Sequence, residues 1–302
     1  MHVWLIAVPY DLGRADVGSG RGPAAYLKAG AAEALRARGH EVDVVTVKRE
    51  RPFEDELGAV LDVDRALATA VEDALFADAL PVVVAGNCNA TLGVQAGLQR
   101  GGAIDAGLVW LDAHGDFNTP ATTETGYLDG MPLAMVCGRA YREAVELQLD
   151  AEPLPEAAIV HAGGRDFDRE ERASLLDSAA RVVDGGDLRE KGPSESLVPA
   201  LDALARERRQ FWGLDTDEAP PAHLHVDLDV LDPAAAPGVT FPSPHGLSAA
   251  QLLECIDLVR ERFQLIAVTV TSFTPARDEA GTTLAAGLAV LQRVTAEHAL
   301  RS

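Results

Sequence analysis

Short apolar runs alternate along this chain with stretches where apolar residues return every third or fourth position. The runs cover 3–8, 42–47, 81–85, 107–111, 157–161, 224–230 and 265–270, and most are rich in β-branched residues. A strand with one wet face would alternate between apolar and polar. Unbroken runs of this length suit strands covered on both faces of a parallel sheet. Helical spacing marks 23–38, 57–76, 169–179, 194–206 and 248–262. Pro23 fits a first helical turn after Gly20 and Gly22, and Ser248 with Gln251 has capping-box spacing. Strand-then-helix order repeated in this way predicts an α/β fold, a three-layer sandwich with a mostly parallel sheet, forming a single domain over 1–302. The stretch 184–193 reads as the least structured, and 215–221 as a polar loop. In such a sheet the chemistry gathers in loops at the carboxyl ends of the strands, so the polar residues that follow each run are the candidates.

Two places stand out. After 107–111 come Asp112, His114, Asp116 and Asn118, at every second position. In extended chain these side chains point the same way, bringing two carboxylates and an imidazole together. The run 224–230 carries Asp227 and Asp229, followed by Asp232-Pro233. Buried carboxylates at this spacing repel one another unless a cation lies between them. The alternative is that they accept backbone N–H bonds while Asp232 caps a turn. His225 shares their face and reads as a packing residue. Four carboxylates and one imidazole form a hard ligand set suited to Mn²⁺ or a similar divalent ion, and large enough for two ions that generate a hydroxide nucleophile.

Composition narrows the partners. The net charge of −21 excludes nucleic acid and anionic membrane, because both bind basic surfaces. Cys88, Cys137 and Cys255 form no CxxC pair and no even framework, which fits a reducing compartment. The opening MHVWLIAVPYD lacks a basic region and a long apolar core, so neither signal peptide nor membrane span is expected, and the expected location is the cytoplasm.

The segments VWLDAHGDFNTP and HVDLDVLDP resemble the two signature motifs of the ureohydrolase superfamily, which includes arginase, agmatinase and formiminoglutamase. The opening VPYDLGRADVGSGRGPAAYLKAG, the segment GGRDFDREE and the helix start GLSAAQLLECI are similar to that family as well. The resemblance implies a sheet of about eight strands and a homo-oligomer, trimer or hexamer. It makes Asp112, His114, Asp116, Asp227 and Asp229 metal ligands, with Asp116 and Asp227 bridging. It puts Asn118, Thr125 and Asp168 at the α-carboxylate and α-amino group of an amino-acid substrate.

Four positions depart from the pattern. The family's remaining ligand, a His in a GGDHS segment, corresponds to Cys88 in Gly86-Asn87-Cys88-Asn89. As a thiolate, Cys88 would be a sixth ligand favouring Zn²⁺ or Fe²⁺; otherwise it is a small buried hydrophobe. A His thought to shuttle protons becomes Asp129, a Thr becomes Phe241, and the Glu that grips a guanidinium becomes Ser272. The expected activity is hydrolysis of a linear amidine or guanidine on an amino-acid-like small molecule, such as arginine, N-hydroxyarginine or formiminoglutamate. Asp116 would orient the nucleophile and Asp129 would return a proton. Two other readings stay open: a binding protein that keeps the fold without catalysis, and a cysteine amidohydrolase using Cys88.

Overall fold

The computed structural model describes residues 1–104 and 106–296. Its main sheet has eight strands: β1 (His2–Val8), β2 (Glu41–Thr46), β3 (Leu80–Ala85), β4 (Gly107–Leu111), β5 (Ile159–Ala162), β6 (Arg181–Val183), β7 (Pro221–Asp227) and β8 (Gln264–Thr271). Their order is β2-β1-β3-β8-β7-β4-β5-β6, and every neighbouring pair is parallel.

Successive side chains leave opposite faces of each strand. On one face Leu5, Val82, Val109, Leu224, Val226 and Val268 pack with Tyr26, Leu201, Ile256 and Leu291, from helices Gly22–Lys28, Val198–Trp212, Ala249–Arg260 and Thr282–Val294. On the other, Ile6 and Val83 meet Leu67, Val71 and Leu98 of helices Glu56–Phe76 and Ala90–Arg100. The inner strands are covered on both sides, which is why they read as apolar runs rather than alternating ones, whereas β2 at the edge is largely exposed.

Several boundaries differ from the sequence reading. The run at 224–230 stops at Asp227, and Leu228–Val230 forms a 3-10 turn instead. The helical stretch 23–38 is broken into Gly22–Lys28 and Ala31–Arg36 by Gly30, whose φ of 83° suits glycine. The stretch taken as least structured holds a helix, Gly185–Glu190, because Asp184 accepts from the N–H groups of Gly186 and Asp187. β6 has only three residues and gave no run. The helix Ala90–Arg100 showed no amphipathic stripe because every residue from Ala90 to Leu98 is buried. Among the described residues no helix is long and apolar enough to cross a membrane.

Candidate metal centre

Most candidate residues follow the four strands at the middle of the sheet, while Asp168 follows β5 nearer the edge. Cys88 comes after β3, Ser272 after β8, Asp227 closes β7, and Asp112 follows β4. The segment after β4 does not stay extended. The chain turns at Asp116, whose φ of 50° lies in the left-handed region that Asp tolerates better than most residues. The N–H groups of Leu133 and Ala134 hold that turn by donating to the Asp116 carbonyl, at 2.9 and 3.1 Å. The side chains therefore converge through a fold-back rather than through strand alternation.

Part of the capping alternative is realised. Asp227 Oδ1 accepts the N–H of Asp229 at 2.8 Å, and Asp229 Oδ1 accepts that of Ala113 at 3.2 Å. Asp232 accepts from Ala234 at 3.0 Å. One oxygen of each catalytic-type aspartate still faces inward. Asp229 Oδ2 lies 3.0 Å from His114 Nδ1, and Asp112 Oδ1 lies 3.6 Å from the same nitrogen. Asp227 Oδ2 gathers the Cys88 thiol at 2.8 Å, the Thr271 hydroxyl at 3.3 Å and a closer hydrogen bond from Ser272.

The electrostatics are those of a carboxylate cluster short of positive charge. Burial, followed by neighbouring negative charge, pushes Asp116 and Asp229 well above the ordinary carboxylate range. Asp227 is raised for the same reasons. Burial works against protonating His114, but the charge of Asp229 and the bonds to Asp112 and Asp229 outweigh it, and its pKa is raised. His114 thus stands as the local counter-ion. Burial would raise Asp112, yet its bond and attraction to His114 leave it lowered.

Two groups of side chains place ligand atoms within 4.8 Å of one another: Asp112 with His114 and Asp229, and Asp112 with Cys88 and His225. Asp112, rather than Asp116, is the carboxylate common to both. Asp116 Oδ2 is buried with no hydrogen-bond partner, as is His225 Nε2. Each such orphan costs about 1–3 kcal/mol unless something satisfies it. Unpartnered acceptors among repelling carboxylates fit divalent cations well. Asp112, His114, Asp116, Asp227 and Asp229 are the residues that would hold them.

Cys88 does not have the surroundings of a nucleophile. Burial comes first, then Asp227, Asp116, Asp129 and Asp112, and together they push its thiol pKa well up, the opposite of what a free thiolate needs. The two residues beside it serve Asp129. Asn87 Nδ2 donates to Asp129 Oδ2 at 2.6 Å, while the backbone and side chain of Asn89 donate to Oδ1 at 3.2 and 2.8 Å. Even so, burial and the nearby Asp227 charge keep the Asp129 carboxyl well above its usual range.

Cys88, His114, Asp116, Asp129, Asp227 and Asp229 line a cavity of about 380 Å³. Its far side holds the other candidates. Asn118 Nδ2 donates to Asp168 Oδ2 at 3.0 Å, and Thr125 sits exposed at the rim. Glu171 buttresses that side by accepting the N–H groups of Phe117 and Asp168 at 3.0 and 3.1 Å; burial raises its pKa to about 7. Phe241 is 51% exposed and meets the Tyr127 ring edge-on at 5.2 Å, so the mouth is aromatic. A larger cleft of about 880 Å³ lies at the amino ends of β1, β3 and β8, away from every candidate ligand.

Tyr127, Glu171, Asn87, Asn89 and Trp110 were not read as site residues from sequence. Glu171 alone had a signal, the D-x-x-E spacing from Asp168. Arg165 was missed too. Its guanidinium donates to the carbonyls of Gly163, Asp229, Val230, Leu231, Ser243 and Pro244, tying the turn after β7 to neighbouring loops. Arg165→Met should lower stability by about 3 kcal/mol by leaving these acceptors unpaired. Urea denaturation measures this; a change under about 0.5 kcal/mol, the size of an ordinary surface substitution, would contradict it.

Known proteins resemble this chain over most of its length. The family model described as "Arginase family" matches residues 1–296. Arginase from Bacillus subtilis is 31% identical over 251 residues, covering 81% of this chain and 80% of that protein. Arginase from Bacillus caldovelox is 27% identical over 297 residues, 95% of each. The crystal structure of the B. subtilis arginase superposes with a TM-score of 0.84 at 26% identity, covering 99% of this chain and all of that one (100%).

Proposed function

This chain belongs to the arginase family, and on that premise we propose that it hydrolyses an amino-acid-like substrate whose amidino group is not the free guanidinium of arginine. Hydrolysis of amidino C–N bonds is the general chemistry of the family. The observation that carries the finer reading is Ser272. Where the resemblance puts a carboxylate to grip a guanidinium, a hydroxyl instead donates to Asp227. A missing buried carboxylate weakens the hold on a cationic group by several kcal/mol. An N-hydroxyguanidine or a formimino group depends less on such a clamp.

Asp112, His114, Asp116, Asp227 and Asp229 would hold two divalent ions, Mn²⁺ by the hardness of that set, or Zn²⁺ or Fe²⁺ where Cys88 takes part. Such ions supply Lewis acidity and a water that ionises near neutral pH. The chain's own groups do the rest. Asn118 and Asp168 receive the amino-acid end, braced by Glu171, with Thr125 at the rim. The unpartnered Asp116 Oδ2 accepts a hydrogen bond from the attacking water and orients it. Asp129 Oδ1 already takes two N–H donors and Oδ2 only one, so the proton of its raised carboxyl belongs on Oδ2, from which it can pass to the leaving nitrogen. Tyr127 and Phe241 limit water at the mouth. By family resemblance the protein works as a homo-oligomer in the cytoplasm.

A panel of guanidino, N-hydroxyguanidino and formimino amino acids, scored for urea, hydroxyurea or formamide, tests this. A modified substrate should exceed L-arginine and agmatine in kcat/KM by about 100-fold, the factor for several kcal/mol of lost clamp. L-arginine or agmatine turned over at about 10⁴ M⁻¹s⁻¹ or better would sink the substrate reading.

A further inference from the structure

The imidazole that the resemblance expects at position 88 is absent, and another imidazole lies behind it. We infer that His225 is a metal ligand through Nε2, forming with Cys88 and Asp112 the set that holds one ion of the pair. This deepens the two-ion reading above and rests on it.

The strand sets the geometry. On β7, Leu224 and Val226 face one helix layer, so His223, His225 and Asp227 face the other. There they meet residues spaced one to two helical turns apart. His223 Nδ1 pairs with Gln95 at 3.0 Å, His225 Nδ1 with the Thr91 hydroxyl at 2.8 Å, and Asp227 with Cys88 at 2.8 Å. The two histidines then differ. His223 uses its second nitrogen as well, on the Thr269 hydroxyl at 2.8 Å. His225 Nε2 has no partner, although the residue is fully buried, at 0% exposure.

The free nitrogen has ligand atoms beside it. A ring nitrogen of His225 lies within 4.8 Å of both the Cys88 sulfur and an Asp112 carboxylate oxygen. With Nδ1 held by Thr91, Nε2 is the one left to bind. The ring is also fixed in orientation. Trp110 stacks on it with centroids 3.7 Å apart and 12° between planes, and the same indole N–H donates to Asp112 Oδ2 at 3.0 Å. A ligating imidazole whose other nitrogen is anchored on an oxygen is the usual arrangement in metalloproteins. Thiolate, carboxylate and neutral imidazole balance a dication. They leave a fourth position open, and they favour Zn²⁺, Fe²⁺ or Co²⁺ over Mn²⁺.

The test uses the full chain loaded with Co²⁺. The wild type should bind two ions and show a thiolate-to-cobalt absorption band that Cys88→Ser abolishes. His225→Phe keeps a ring against Trp110 but has no nitrogen. It should keep one ion, bind the other about 100-fold more weakly, and lose or shift the band. If His225→Phe does not fold, X-ray absorption of the zinc-loaded wild type decides: one sulfur at about 2.3 Å and two imidazoles per ion pair are expected. Two ions bound as tightly in His225→Phe with an unaltered band, or a single imidazole per pair, would overturn the His225 assignment alone. A wild-type chain that binds no ion would overturn the two-ion reading with it.

Discussion

Asp227→Asn will bind fewer ions than the wild type, and its turnover will fall by about 10⁴-fold or more, as when one member of a catalytic unit is removed. The reason lies in what its carboxylate does. Oδ1 caps the turn through the Asp229 N–H at 2.8 Å, while Oδ2 faces Cys88, Thr271 and Ser272 at the centre of the site. Asparagine can keep the capping bond because its amide oxygen accepts an N–H. It removes the negative charge that a cation needs. Elemental analysis alongside steady-state rates checks both effects, with circular dichroism to show that the fold survives. Asp116→Ala should behave alike. Undiminished turnover in either variant would exclude the mechanism.

Metal removal should change not only stability but the sign of its dependence on pH. In the stripped protein Asp116, Asp129, Asp227 and Asp229 all have folded-state pKa values above their ordinary 3.8, with burial as the first cause. Above pH 3.8 the unfolded chain has lost protons that the folded chain retains, so stability falls as pH rises through the raised values. His114 adds to the trend. Its raised pKa contributes stability that is complete below its ordinary 6.5 and is lost as pH climbs past it. Asp112 alone runs the other way, its contribution disappearing as pH falls below 3.8. Ions compete with those protons, so the loaded protein should gain stability over the same range. At a free concentration 1,000 times its dissociation constant, each ion adds about 4 kcal/mol. Two would raise Tm by about 10–15 °C in a chain of this size. Melting curves with and without chelator, across pH, provide the check. Equal stability with the same slope in both states would mean that the carboxylates are satisfied within the chain.

The parts of the fold set by continuous burial were legible. Seven of the eight strands left apolar runs, most of them because both faces are covered, although the edge strand β2 is largely exposed; the three-residue β6 left none. The candidate ligand positions stood out because charged residues that close buried strands conflict with their surroundings, as Asp112 and Asp227 do. What could not be read was long-range pairing. Nothing in Asn87 or Asn89 indicates that their amides meet a carboxyl some 40 positions later, at separations of 42 and 40 residues. His225 was judged as packing, and half of that holds, since it stacks on Trp110. Its unpartnered nitrogen is a property of three-dimensional neighbours. The alternating pattern from Asp112 to Asn118 is not what brings these side chains together, because the chain folds back at Asp116.

The position of β8 has a consequence for how this centre comes into being. The strand lies between β3 and β7, so until it docks, the strand bearing Cys88 and the strand bearing Asp227 have no common sheet. During synthesis the ligands from Cys88 to Asp229 emerge well before residue 264, where β8 begins. For that interval Asp112, His114 and Asp229 can already come together through the direct pairing of β4 with β7, but Cys88 cannot join them. Pairings over such sequence distances form slowly, and the last strand of the sheet is the one that brings Cys88 to the site. Protein released early, or mutated in β8, should therefore lose the contribution of Cys88 to metal binding while each ligand side chain remains intact.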